Sequence, residues 1–198
     1  MSELVNRRTE RRRAEIVDVA IQLFAVRGFD ETSMSDVAEA AGVSRRTLYR
    51  YFETKDDLVF EAPRIWLAVL NGVIDDRKPG ESTRDLCRRA LLQVADYILE
   101  THDTVLAGAA VVATSPSLSA RHGRSDAEWS NRYLQLFMAD VGDAPGGVLT
   151  ATTAALALVA AQNALIFVWA AGWPDTDLKS MTVAMLDQVD CLWPEQCR

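Results

Sequence analysis

The sequence predicts an all-α protein with a three-helix helix-turn-helix head and a helical-bundle body, about nine helices in all. Apolar residues recur at helical spacing along most of the chain, and no segment is a convincing β-strand. Glycine and proline are sparse, at 10 and 6 residues, which favours long helices over many turns. A chain of 198 residues can form one large domain or two small ones. We expect one domain over residues 1–55 and another over residues 56–198.

A first helix is predicted over residues 10–27. Gly28 ends it, because glycine readily adopts the left-handed backbone found at helix ends. Its core-facing stripe consists of apolar residues at helical spacing: Ile16, Ala20, Leu23 and Phe24.

Residues 33–40 and 44–51 are predicted to form two short helices joined by a tight turn. Ser33 or Ser35 can cap the first of them, because each places a side-chain oxygen before an exposed helix start. Gly42 permits the left-handed backbone that a sharp turn requires. Two helices with this turn are typical of a helix-turn-helix, whose second helix enters the major groove of DNA.

The second helix of this pair is basic in a chain whose formal net charge is −7. Leu48 and Phe52 are four residues apart and share its inward face. The other faces carry residues that can contact bases or phosphates: Arg45, Arg46, Thr47, Tyr49 and Arg50. Lys55, just beyond this helix, can hold a phosphate. The alternative is a solvated charged face on a structural helical hairpin, which the combination of cap, turn and basic helix disfavours.

The basic charge is local. Residues 1–57 contain 10 Lys and Arg against 11 Asp and Glu, whereas the remainder contains 11 against 17. Local basic clusters, rather than net charge, govern phosphate binding. Residues 1–8 are expected to be disordered without DNA, and we favour a phosphate contact for this basic arm over a solvated tail.

Six further helices are predicted after residue 53. The first has Thr54 as its N-cap and Asp57 as an acidic partner, and it runs to about residue 76 with a bend near Pro63. The others are separated by short loops: residues 83–101, 103–114, 117–139, 148–171 and 175–192. The last two are long and apolar, which suits a four-helix dimer interface. Small residues on the helix over residues 148–171 either allow close helix approach across that interface or line the subunit's own core: Ala154, Ala157, Ala161 and Ala164.

From Arg13 to about Leu58 the chain resembles the TetR family of one-component transcriptional regulators. The matching residues are I-V-D-V-A-I-Q-L-F-A-V-R-G-F, the Thr32 that follows, D-V-A-E-A-A-G-V-S, T-L-Y-R-Y-F and K-D-D-L. The resemblance implies an all-helical homodimer with a DNA-binding head and a ligand-binding body. Carried over position by position, it implies DNA contacts from nine residues: Thr32, Ser44, Arg45, Arg46, Thr47, Tyr49, Arg50, Tyr51 and Lys55.

An effector site in the body requires apolar walls and a few polar anchors. Its candidates are aromatic, basic and amide residues: Trp66, Tyr97, Arg121, Trp129, Tyr133, Asn163 and Phe167. Gln162 and Asn163 are the better hints, because a buried amide needs a partner, either a ligand or another helix across the dimer. Residues 114–129 are similar to a region of acyl-CoA-responsive TetR-like regulators, although a solvated basic helix turn is the alternative. We therefore prefer an acyl-CoA-like ligand over other hydrophobic or drug-like ligands.

Composition indicates a reduced, cytoplasmic protein without a cofactor or metal. Cys87, Cys191 and Cys197 are odd in number and lack metal-binding spacing, and Cys87 is expected to be a buried small hydrophobe. No nucleophile, zinc or Gly-rich phosphate motif occurs, so we expect no enzyme. Residues 149–173 are long enough to span a bilayer, but interrupting polar residues favour a helix buried on several sides, and we expect no membrane partner.

These expectations combine into a ligand-responsive repressor. It would form a homodimer through its two C-terminal helices and bind a palindromic operator. A small hydrophobic or acyl-CoA-like ligand would release it from the DNA. A ligand-independent architectural or adaptor DNA-binding protein is one alternative, which a body without a ligand-accessible cavity would support. An enzyme acting on an acyl compound is the other.

Overall fold

The computed structural model describes residues 2–142, 145–172, 177–189 and 193, and it leaves out the side chains of residues 2–7, 120 and 122–125. Ten α-helices and no β-strand lie within these ranges, which confirms the all-α fold class. In chain order the helices are α1 (Ser2–Arg27), α2 (Met34–Ala40), α3 (Arg45–Tyr51), α4 (Lys55–Val59), α5 (Glu61–Asp75), α6 (Thr83–Glu100), α7 (His102–Thr114), α8 (Pro116–Val141), α9 (Gly147–Ala170) and α10 (Leu178–Gln188).

The helices form two compact units. The first comprises Met1–Arg64 with Thr101–Arg121, and the second comprises Ile65–Glu100 with His122–Arg198. The boundary expected after residue 55 divides the chain by function, into DNA-binding and ligand-binding parts, and it stays a prediction.

The first unit has one apolar core that α1, α2, α3, α4, α7 and the start of α8 share. Its largest fully buried side chains are Phe24, Phe52, Ile16, Ile21, Leu48, Leu58 and Leu118. Helix α7 packs on α1 at Gly108, where an added Cβ would lie at an ordinary contact distance of 3.7 Å from Ile21 Cδ1. Thr104 Oγ1 also donates a hydrogen bond of 2.7 Å to Asp18 Oδ1. The short helices α2 and α3 therefore pack in a core that includes a helix distant in sequence.

Two capping boxes set the helix starts around the tight turn. Ser33, rather than Ser35, caps α2: its Oγ accepts from the Asp36 backbone N–H at 3.2 Å, and its own N–H donates to Asp36 Oδ2 at 2.7 Å. Thr54 and Asp57 form the same arrangement at the start of α4, as expected. Gly42 has a φ of +63°, in the left-handed region that disfavours side chains with a Cβ.

The first helix begins at Ser2, so the expected disorder of residues 1–8 is wrong for residues 2–8. No glycine or proline interrupts this segment. Arg11 and Arg12 also pair with Glu15 one turn later, at 3.2 and 2.9 Å. Pairs at this spacing stabilise an exposed helix by a few tenths of a kcal/mol, about 0.2–0.5 each.

The helix expected from Thr54 to about residue 76 is two helices, α4 and α5, with a break at Phe60. Pro63 explains the break, because its ring lacks an N–H and clashes with the carbonyl group four residues earlier, at Val59. This break accounts for one helix more than expected among the described residues. The later helices match their predicted ranges apart from a few residues at their ends.

The second unit packs α6, α9 and α10 together, and an aromatic row on α8 fills its core. Tyr133 lies 5.8 Å from Trp129 and 5.9 Å from Phe137, measured between ring centroids. Cys87 on α6 is fully buried, as expected. Cys191 and Cys197 lie outside the described residues.

Helix α9 buries only one face, so the prediction that it is buried on several sides is wrong for the single subunit. Ala154 and Leu158 lie in the core at 5 and 2 % exposure. The opposite face is exposed and, apart from Thr153, apolar, with residues spaced by three or four positions: Leu149, Thr153, Leu156, Ala160, Ala164 and Phe167. By length and composition alone, α9 is also long and apolar enough to span a membrane, a test that core helices of soluble proteins pass too.

Candidate functional site

The turn and the caps fix the orientation of α3. Ser44 Oγ accepts from the Thr47 backbone N–H at 3.1 Å and lies 2.9 Å from Thr47 Oγ1. Leu48, with no exposed surface, and Phe52, 1 % exposed, attach the inner face of α3 to the first unit. The Val43 N–H donates to the Ala38 carbonyl oxygen at 2.9 Å, which closes the turn. A helix held in this way presents its outer face rigidly.

The outer face of α3 carries the residues that the sequence assigns to DNA. Arg45, Arg46 and Arg50 are exposed, and Tyr49 is 49 % exposed. The Arg50 guanidinium lies 5.2 Å from the centroid of the Tyr51 ring, close enough for a cation–π contact. Exposed guanidinium groups on a short helix can reach base edges and phosphates in a major groove. The individual DNA contacts stay predictions.

An open groove of about 870 Å³ lies between α1 and the turn that precedes α3. We call it the basic groove, and its charged lining residues are Arg8, Arg11, Arg12, Glu15 and Arg50. Hydrogen bonds from Arg12 and Arg11 outweigh burial and lower the pKa of Glu15, so this carboxylate stays ionised beside them. One negative charge among four arginines leaves the groove basic. The arginines at and just after the predicted basic arm, Arg8, Arg11 and Arg12, were its signal in the sequence.

The side chains of two predicted DNA contacts, Thr32 and Lys55, donate to carbonyl oxygens of the connection between α1 and α2. Thr32 is 1 % exposed, and its hydroxyl donates to the carbonyl oxygen of Gly28 at 2.7 Å. Lys55 Nζ donates to the carbonyl oxygens of Phe29 and Thr32, at 2.5 and 2.8 Å, and lies 4.1 Å from the Phe29 ring centroid. A phosphate contact by either side chain requires that these bonds be exchanged.

A buried carboxylate joins the end of α3 to α1 and α5. Glu61 is 4 % exposed and accepts two hydrogen bonds from Arg13, at 2.8 and 2.9 Å, and two from Arg64, both at 2.8 Å. Arg13 Nη1 also donates to the carbonyl oxygen of Tyr51 at 2.7 Å. Burial raises the pKa of Glu61, but the hydrogen bonds from Arg64 and Arg13 outweigh it and hold this pKa below its ordinary value.

We call Arg13, Glu61 and Arg64 the Glu61 triad. Sequence reasoning missed it, because nothing in the local pattern distinguishes a buried glutamate from an exposed one at the start of a helix. The only available signal was the spacing of Glu61 and Arg64, which suits an ion pair within one helix.

The predicted effector residues divide between the two units. Trp129 and Tyr133 lie together in the core of the second unit, at 7 and 0 % exposure. The Trp66 indole Nε1 is buried and has no hydrogen-bond partner among the described residues. Phe167, in contrast, is 75 % exposed on the outer face of α9.

Arg121 belongs to the first unit, where it forms an ion pair with Asp56 at the start of α4. An anion at Arg121 would therefore have to compete with a carboxylate that the chain already supplies. Tyr97 and Asn163 are partly exposed. Gln162 was predicted, with Asn163, to be a buried amide in need of a partner. Its side-chain oxygen is buried and lacks a hydrogen-bond partner among the described residues.

Known proteins share this head and this fold. Residues 16–62 match the family described as bacterial regulatory proteins, tetR family. The regulator MftR of Mycobacterium tuberculosis is 42 % identical over 88 residues, 44 % of this chain and 44 % of that protein. The HTH-type transcriptional regulator TcmR of Streptomyces glaucescens is 28 % identical over 203 residues, 97 % of this chain and 87 % of that protein. The chain thus matches less than half of the length of MftR and most of that of TcmR.

A solved structure extends the similarity over both units. FadR of Thermus thermophilus, a TetR family transcriptional repressor in complex with lauroyl-CoA, has a TM-score of 0.55 at 20 % identity. The match covers 91 % of this chain and 92 % of that chain, and at this identity it concerns the fold alone. The capped basic helix and the family match agree: residues 16–62 are a DNA-binding head of the tetR family of bacterial regulatory proteins.

Proposed function

We propose that the chain is a ligand-responsive repressor that binds a palindromic operator as a homodimer. The observation that carries this proposal is the outer face of α3, where exposed arginines surround Tyr49 on a helix fixed by its cap and its core. The DNA contacts are proposed from α3 and its flanks: Ser44, Arg45, Arg46, Thr47, Tyr49, Arg50 and Tyr51. Thr32 and Lys55 contact phosphate only if DNA binding exchanges their internal bonds.

The exposed apolar stripe of α9 supports dimerisation through α9 and α10. Its residues recur every three or four positions, the spacing that lets one helix pack against another. Ala160 and Ala164 lie between Leu156 and Phe167 and keep the centre of the stripe flat. A twofold dimer buries the same stripe from both subunits. It would place two α3 helices in major grooves of one DNA face, about 34 Å or a multiple of it apart.

The effector is proposed to be a small hydrophobic or acyl-CoA-like molecule bound in the second unit. Support comes from the aromatic core of that unit and from the lauroyl-CoA named with the FadR relative of the same fold. Effector binding would favour a spacing of the two heads that does not match the operator. We propose that the chain works in the cytoplasm, without a cofactor and without catalysis.

The test is a footprint of the full chain on the DNA upstream of its own gene, followed by addition of acyl-CoAs of increasing chain length. We expect protection of two symmetric half-sites, which one chain-length class removes. Protection that no acyl-CoA removes would still support a DNA-binding regulator but would rule out acyl-CoAs as its effectors. Protection of a single half-site by a monomer would reject the dimer.

A further inference from the structure

Two buried polar atoms in the second unit lack hydrogen-bond partners. Tyr133 on α8 has no exposed surface, and its hydroxyl makes no hydrogen bond within the described residues. The side-chain oxygen of Gln162 on α9 is buried and equally without a partner there. Gln162 lies beside Tyr133, where hydrogen bonding from its side chain lowers the pKa of that tyrosine, but neither oxygen has a partner at ordinary hydrogen-bond length and angle.

Buried polar groups in folded proteins nearly always have partners, because leaving one unpaired costs the free energy of its desolvation. A tyrosine hydroxyl can donate once and accept, and a glutamine amide offers an acceptor oxygen and two N–H donors. Two such groups side by side can therefore bind one further oxygen atom, with Tyr133 donating to it and the Gln162 amide providing a second bond.

The surroundings of the pair are apolar. Tyr133 lies between the rings of Trp129 and Phe137, and the fully buried Cys87 is a close neighbour. Burial, and to a lesser extent Cys87, raise the pKa of Tyr133 well above its ordinary value, so its hydroxyl is a neutral donor. The same lack of solvation would penalise a carboxylate or phosphate placed beside it.

We propose that Tyr133 and Gln162 form the polar anchor of the effector site, and that they bind an uncharged oxygen, a carbonyl or a hydroxyl, of a hydrophobic molecule. This inference rests on the proposed ligand-responsive function and specifies the chemistry of the buried end of the ligand. An acyl-CoA offers such an uncharged oxygen in its thioester carbonyl, and a hydrophobic ketone or alcohol offers one in its carbonyl or hydroxyl group. A free fatty acid, ionised at neutral pH, does not.

The test compares four probes of equal chain length on the full-length protein: lauroyl-CoA, 2-dodecanone, 1-dodecanol and laurate. Binding is measured by isothermal titration calorimetry on wild type, Tyr133→Phe, Gln162→Leu and the control Gln93→Leu, which alters an exposed glutamine of α6. We expect at least one neutral-oxygen probe to bind wild type and the control. Loss of one hydrogen bond should weaken its binding about 3- to 10-fold in each anchor variant.

Equal affinity in wild type and both anchor variants overturns the proposal, as does laurate binding as tightly as 2-dodecanone. Absence of binding by all four probes to wild type overturns it too. If either variant misfolds by circular dichroism, 2-dodecanone labelled with ¹³C at its carbonyl gives a direct readout on wild type. A downfield shift of the bound carbonyl supports the anchor, and an unchanged shift contradicts it.

Operator binding separates this inference from the proposed function. The same probes are added to a complex of the protein with the DNA upstream of its gene. Release that is equal in wild type and Tyr133→Phe leaves the ligand-responsive regulator intact and removes the anchor. Failure of wild type to prefer that DNA over random DNA counts against the proposed function, whatever the calorimetry shows.

Discussion

Glu61 provides the sharpest test of how α3 is positioned, because the substitution Glu61→Gln removes the charge of this side chain without changing its shape. In Glu61→Gln the two bonds from Arg13 lose a charged acceptor in a site where Glu61 is 4 % exposed. A hydrogen bond to a charged group contributes about 1.5–3 kcal/mol, and a buried pair broken on one side costs about 3–5 kcal/mol. The Arg64 side chain is 56 % exposed, so its bonds contribute at most about 1 kcal/mol. We expect Glu61→Gln to lower the free energy of unfolding by about 2–4 kcal/mol.

The matched control is Arg64→Gln, which we expect to cost less than about 1 kcal/mol because that arginine is mostly solvated. Unfolding should be followed by far-UV circular dichroism during urea titration. Tryptophan fluorescence would report on the wrong unit, since all 5 tryptophans lie after residue 65. Equal stability of Glu61→Gln and wild type would refute the reasoning, because the triad would then contribute nothing.

The acid dependence of Glu61 follows from the direction of its pKa shift. Its pKa in the folded protein lies below the ordinary value of 4.5. Its stabilising contribution is therefore complete above about pH 4.5 and disappears as the pH falls through the folded-state pKa. We expect the stability difference between wild type and Glu61→Gln to shrink below pH 4.5, and a difference that grows there would contradict the sign.

Three further substitutions test the head and the proposed dimer. Lys55→Met should lower the free energy of unfolding by about 2 kcal/mol, because its ammonium donates to two carbonyl oxygens; unchanged stability with a shallower salt dependence of DNA binding would instead make Lys55 a phosphate contact. Arg46→Ala should weaken operator binding by about 1–3 kcal/mol in anisotropy titrations if Arg46 contacts a base, whereas an equal loss on all sequences would indicate a phosphate contact. Leu156→Glu places a charge in the exposed stripe of α9 and should give a helical monomer by light scattering, and a persistent dimer would place the interface elsewhere.

Local sequence signals predicted the helix-turn-helix well because its features are local. Caps such as Ser44 and Thr54 act within three residues, and the positive φ of Gly42 is a property of one residue. The inward face of α3 followed from the four-residue spacing of Leu48 and Phe52. Short-range rules therefore suffice for the element that reads DNA.

Features that depend on distant residues were not predictable in this way. The packing of α7 on α1 joins segments that are 86 residues apart at Thr104 and Asp18, and helical periodicity carries no information about which helix covers a face. The hydrogen bonds from Lys55 to the carbonyl oxygens of Phe29 and Thr32 were not predictable, because these residues lie 26 and 23 positions earlier in the chain. The break at Phe60 was partly foreseeable, since Pro63 indicated a bend, but its position three residues before the proline required the clash of the ring with the Val59 carbonyl group to be considered.

The most direct test of the central claim is a fluorescence-anisotropy titration of the protein against the DNA upstream of its own gene. It should be run at two salt concentrations, with random DNA as competitor, before and after addition of lauroyl-CoA. A ligand-released repressor predicts binding that resists the competitor, weakens with salt and falls when the effector is added. Binding that random DNA displaces equally well, and that lauroyl-CoA and the neutral-oxygen probes leave unchanged, would contradict it.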